Sequence, residues 1–133
     1  MINLLEKYKN VIEEIKNNSY VDSLFLFGSY STNTQKPTSD LDITVIFKPN
    51  ATENEKTSIL AHGTDELDIS DFEELPLILQ YKVLAKGKVI KNEEKQKKLL
   101  NSIKHQLIDF LPLKNRILKN KGLPTINLEK EMI

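Results

Sequence analysis

Asp40 and Asp42 stand two positions apart where a polar loop runs into the apolar stretch Ile43-Thr44-Val45-Ile46-Phe47. Side chains on a strand alternate faces, so both carboxylates point one way while Leu41, Ile43 and Val45 point the other. Two carboxylates in one cleft repel each other, and a positive charge between them makes the arrangement tolerable. Hard divalent cations such as magnesium take carboxylate oxygens and share their remaining positions with substrate phosphates. Gly28-Ser29 closes the preceding apolar run, and a small-residue turn there offers backbone amides and a hydroxyl to those phosphates. The pattern implies metal-assisted phosphoryl or nucleotidyl transfer.

Each of these residues also has a plainer explanation. Gly28 and Ser29 alone describe a strand-to-helix turn, with Ser29 as its cap. Asp40 and Asp42 alone describe solvated charges at a strand end. The apolar character of Ile43 to Phe47 argues against the second, because it marks a central strand whose mouth has no structural need of acid. A third carboxylate comes from the stretch Asp65 to Asp71. With Leu67 and Ile69 facing a core, Glu66, Asp68 and Ser70 share the opposite face. Asp65 and Asp71 have the core parity and fall beyond the strand ends, where a turn and a helix cap account for them. Glu66 and Asp68 both stay open on alternation alone.

The elements that position these residues read as follows. Leu5, Tyr8, Val11, Ile12 and Ile15 recur at helical spacing within Ile2 to Asn18, which predicts an amphipathic first helix ended by Asn17-Asn18-Ser19. Ser23 to Phe27 is a buried central strand. Ser29 opens a short helical turn, and Thr34 to Thr38 is a loop containing Pro37. Leu41 to Phe47 is the second strand, and a short helix covers Glu53 to Leu60. Glu66 to Ser70 is a third strand. Ser70 or Asp71 then caps a helix from Leu75 to Ala85 that ends at Gly87. Lys88 to Lys91 is an edge strand. Glu93 to Lys119 is a long amphipathic segment that Pro112 should kink or divide. The tail beyond Gly122 is too short to fold alone. The class is α/β, a small mixed sheet backed by helices, forming a single domain over residues 1–133.

Composition narrows the partners. Nineteen basic residues balance nineteen acidic ones, which argues against a nucleic-acid duplex. The absence of cysteine removes thiolate chemistry and disulfides and suits a reducing cytoplasm. No apolar run is long enough to span a bilayer, and no secretory segment is evident at the N-terminus, so a cytoplasmic protein without membrane contact is expected. His62 and His105 have no mutual ligand spacing and read as surface or core-edge residues. Tyr30 is expected to be exposed beside the site, and Lys36 to be a solvated loop lysine.

The run Gly28-Ser29-Tyr30-Ser31-Thr32-Asn33-Thr34-Gln35-Lys36-Pro37-Thr38-Ser39-Asp40-Leu41-Asp42 resembles the signature of nucleotidyltransferases related to DNA polymerase beta. It is most similar to the minimal single-domain MNT type, the antitoxin partner of HEPN ribonuclease toxins. The likeness continues through Glu66-Leu67-Asp68-Ile69-Ser70 and Gly87-Lys88-Val89-Ile90. It implies the polymerase beta-like nucleotidyltransferase fold, with Asp40, Asp42 and Asp68 as catalytic metal ligands and Asp68 also as general base. Gly28, Ser29 and Ser39 are the implied nucleotide-binding residues, Ser39 chiefly as a loop-shaping hydroxyl. Asn33 replaces the usual second glycine, a substitution that asparagine's tolerance of left-handed backbone allows, and Thr32 stands where many relatives carry a basic residue. The implied cofactors are two magnesium ions, with ATP as donor. The implied partner is a cognate HEPN toxin, AMPylated on a tyrosine and held in a hetero-oligomer. Two alternatives belong to other classes: an aminoglycoside-type small-molecule nucleotidyltransferase, and a non-catalytic antitoxin that covers its toxin.

Overall fold

The computed structural model describes residues 3–28, 30 and 39–126. Short helices α1 (Leu4–Lys7) and α2 (Lys9–Lys16) lead into strand β1 (Val21–Phe27). Then come β2 (Leu41–Phe47), α3 (Glu53–Leu60), β3 (Leu67–Asp71), a 3-10 turn (Phe72–Glu74), α4 (Leu77–Lys86), β4 (Lys88–Lys91) and α5 (Glu93–Asn120). The four strands form one sheet in the order β3-β2-β1-β4. β2 pairs antiparallel with β1 and parallel with β3, and β4 runs antiparallel to β1. The mixed α/β sheet read from the sequence is therefore the fold.

Alternation along β2 divides the interior in two. Leu41, Ile43, Val45 and Phe47 join residues of α1, α2 and α3 in one cluster. Ile46 joins Phe25, Phe72 and the α4 and α5 residues Tyr81, Val83, Leu84, Ile103, Leu107 and Leu111 in the other. Complete burial of a side chain such as Phe25 or Leu84 is worth about 1.5–3 kcal/mol. In β1 a register shift between Val21 and Ser23 returns Val21 to the face of Leu24 and Leu26. Gly87 joins α4 to β4 at a point where the backbone oxygens of Val83 and Leu26 leave no room for a Cβ.

Several expectations need correction. The first helix is interrupted at Tyr8 (φ −102, ψ 12), whose hydroxyl reaches Thr64 Oγ1 at 2.8 Å and donates to Glu66 Oε1 at 3.3 Å. Helical hydrogen bonds still cross the break, from Tyr8 N to Leu4 O and from Ile12 N to Tyr8 O. β3 starts at Leu67, one residue later than expected, and extends through Asp71. Asp71 caps the 3-10 turn, accepting from Glu73 N at 3.1 Å, and α4 starts at Leu77 without a side-chain cap. Pro112 does not divide α5, which continues to Asn120. Ile108, whose carbonyl loses its helical donor there, is half exposed, so water can serve that oxygen. Tyr30 is buried in the cluster with α1 and α2. The expected turn at Ser29 and loop Thr34–Thr38 lie outside the described residues, as do Thr32, Asn33 and Lys36. No helix among the described residues is long and apolar enough to cross a membrane.

Candidate active site

β1 ends with Phe27 paired to Asp42, and Gly28 follows at φ +81. A Cβ on Gly28 would lie 2.7 Å from Asp42 Oδ2. Glycine is thus needed twice, for its left-handed backbone and for the space the carboxylate takes. Asp42 lies opposite Asp68 in the parallel ladder between β2 and β3. Neighbouring strands run about 4.8 Å apart, so the sheet itself brings these two acids together. Asp40 precedes β2 and is exposed, and Ser39 beside it is half-buried. Ser29 is outside the described residues.

Electrostatics match the geometry. Burial first, then the charges of Asp68 and Asp40, hold the Asp42 carboxyl above its ordinary range. A divalent cation would offset that shift by favouring the charged carboxylates, and oxygen ligands suit magnesium or manganese. Among the described residues, no three acidic or histidine side chains form a ready-made cage. An open carboxylate cluster is what magnesium needs when substrate phosphates complete its coordination. By donor chemistry, Asp40, Asp42 and Asp68 could hold such an ion.

The remaining candidates are placed elsewhere. Glu66 pairs with Lys7 and accepts from Tyr8, and its carboxyl lies below the usual range because of the Lys7 hydrogen bond. Asp65 is exposed. His62 Nε2 lies 4.0 Å from Glu14 Oε1, and His105 is exposed on α5.

Two residues were missed. Thr44 and Ser70, register partners one alternation further along β2 and β3, join Asp42 and Asp68 in lining a cleft of about 230 Å³. Leu75, Leu79 and Val83 close its other side. The signal was present, since the parity that pairs Asp40 with Asp42 also carries Thr44, and Ser70 follows Asp68 in the same way.

Residues 9–96 match the family described as Polymerase beta, Nucleotidyltransferase. The chain belongs to this nucleotidyltransferase family. A Methanocaldococcus jannaschii protein named "Putative protein adenylyltransferase MJ1547" is 34% identical over 76 residues, which is 57% of this chain and 60% of that relative. The matched part of the chain thus spans about three fifths of that relative's length. Among solved structures, a crystal structure of a toxin-antitoxin with AMP-PNP superimposes with a TM-score of 0.62. It is 18% identical and covers 85% of this chain and 97% of its own. A tri-AMPylated Shewanella oneidensis HEPN toxin in complex with MNT antitoxin gives a TM-score of 0.55 at 16% identity, covering 85% and 94%. At these identities the likeness establishes the nucleotidyltransferase fold.

Proposed function

We propose that this chain is a metal-dependent protein adenylyltransferase that moves AMP from ATP to a tyrosine hydroxyl of a HEPN-type toxin and so acts as its antitoxin. The observation that carries the reading is the in-register pairing of Asp42 with Asp68 beside Gly28, whose backbone lies against the Asp42 carboxylate. Family membership supports nucleotidyl transfer. The name of the archaeal relative supports a protein acceptor. The toxin-antitoxin neighbours, one with AMP-PNP and one with an AMPylated toxin, support the donor and the partner.

Asp40, Asp42 and Asp68 would hold magnesium. When bound, the metal would neutralise phosphate charge and lower the pKa of the acceptor hydroxyl. Gly28 and Ser29 serve the triphosphate with backbone amides and a hydroxyl. Asp68 accepts the acceptor's proton at a carboxylate oxygen. The chain forms no covalent intermediate, so positioning and electrostatics supply the acceleration.

The test is direct. The chain is incubated with ATP, magnesium and the product of the neighbouring gene, and that product is examined by mass spectrometry. An AMP adduct on a tyrosine, lost with Asp42→Ala, is the expected result. Tight binding without an adduct would instead identify an antitoxin that acts by covering the toxin.

A further inference from the structure

We propose that the cleft between α4 and the sheet is the acceptor's seat, shaped for one aromatic side chain that carries a hydroxyl. This rests on the nucleotidyl-transfer reading above and adds which residues select the acceptor. At about 230 Å³ the space falls below the roughly 300–1,000 Å³ of pockets that enclose small-molecule ligands. That is too little to enclose a whole nucleoside triphosphate, and the Gly28 side, outside this recess, is left for the donor's phosphates.

The lining is polar at one end. Asp42 and Asp68 line that end, and one alternation further, about 6.6 Å along the strands, come Thr44 and Ser70. Facing them are Leu75, Leu79 and Val83, with Phe27 beside. An acidic side chain seated here would meet the Asp42 and Asp68 carboxylates, and a lysine or arginine would bring no hydroxyl to the phosphorus. A serine would leave the apolar wall unfilled. A tyrosine has an apolar ring with a polar tip, so its ring meets the α4 wall while its hydroxyl reaches the carboxylates. The short side chains of Thr44 and Ser70 keep the floor clear for that ring. In the step itself the hydroxyl gives its proton to the Asp68 carboxylate and its oxygen bonds to the α-phosphorus. The bond from that phosphorus to the bridging oxygen breaks, and pyrophosphate leaves with the electron pair.

Leu79 is 38% exposed, so it can be changed without unfolding the chain. Leu79→Ala empties the wall and Ser70→Val fills the floor. Each should raise the acceptor's KM about tenfold and leave the KM for ATP unchanged. A rise in the KM for ATP alone would place the nucleoside in the cleft and overturn the proposal. No change in either KM, with wild type active, would overturn it while leaving the adenylyltransferase reading intact. A second readout needs no turnover. N-acetyltyrosinamide titrated into the wild-type chain should shift the methyl resonances of Leu75, Leu79 and Val83, whereas N-acetylglycinamide should not. Equal response to both probes would also overturn the assignment, whether or not the wild type transfers AMP.

Discussion

Glu66 and Asp68 are two residues apart in one segment, yet they live in opposite electrostatic surroundings. Glu66 has its answer inside the chain: Lys7 pairs with it and Tyr8 donates to it. Asp68, itself exposed, stands opposite Asp42, whose carboxyl is held above its ordinary range by burial and by the charges of Asp68 and Asp40. The first arrangement is finished by folding and ties α1 to the start of β3. The second costs stability on folding, and on the proposed function a cation from outside completes it. Carboxylate count therefore says little; whether the fold supplies the counter-charge separates a structural acid from a working one.

Breaking the working side should have the largest effect. Asp42→Ala should lower AMP transfer about 10²–10³-fold, in the range seen when a preorganised electrostatic group is removed, with the melting temperature held or raised. Asp68→Asn should lose turnover more than ATP binding, measured by single-turnover assay and calorimetry. Equal loss of both would count against a proton-accepting role. Gly28→Ala comes next. Its left-handed φ and the Asp42 oxygen 2.7 Å from the new Cβ should cost about 1 kcal/mol or more in urea denaturation, together with activity.

The contrast also has a pH signature. A carboxyl held above its ordinary value binds its proton more tightly when folded than when unfolded. Stability is thus greatest with Asp42 protonated and falls as pH rises from the usual aspartate value through the raised one. Asp42→Asn should remove that fall: the variant melts higher than wild type at neutral pH, and the gap closes in acid. Manganese should narrow the same gap by stabilising wild type. The smallest effect belongs to the finished side. Glu66→Gln exposes no buried charge, so it should lower stability slightly and leave AMP transfer unchanged.

What could be read in advance followed from local rules. β2 lies where alternation places it. α3 spans the expected Glu53 to Leu60, in the least legible stretch of the chain, with a Thr52 and Glu55 capping box that the reading from sequence missed. The acids on β2 and β3 share a face because a strand has period two, and the same rule reaches Thr44 and Ser70. What could not be read depended on distant contacts. Nothing near Tyr8 announces that its hydroxyl reaches Thr64 and Glu66, more than fifty residues away. Tyr30 looks like a loop residue until the second core layer covers it. Asp71 has a cap's chemistry, yet only the 3-10 turn shows which amide it serves.

Because β2 and β3 are parallel, the chain must complete an entire crossover through α3 before residue 68 can reach residue 42. On the proposed function, a chain emerging during synthesis would be chemically silent until that long-range docking occurs. Ion capture would then report the moment the sheet closes, and a one-residue deletion within β3 would turn the second acid away while leaving composition almost untouched.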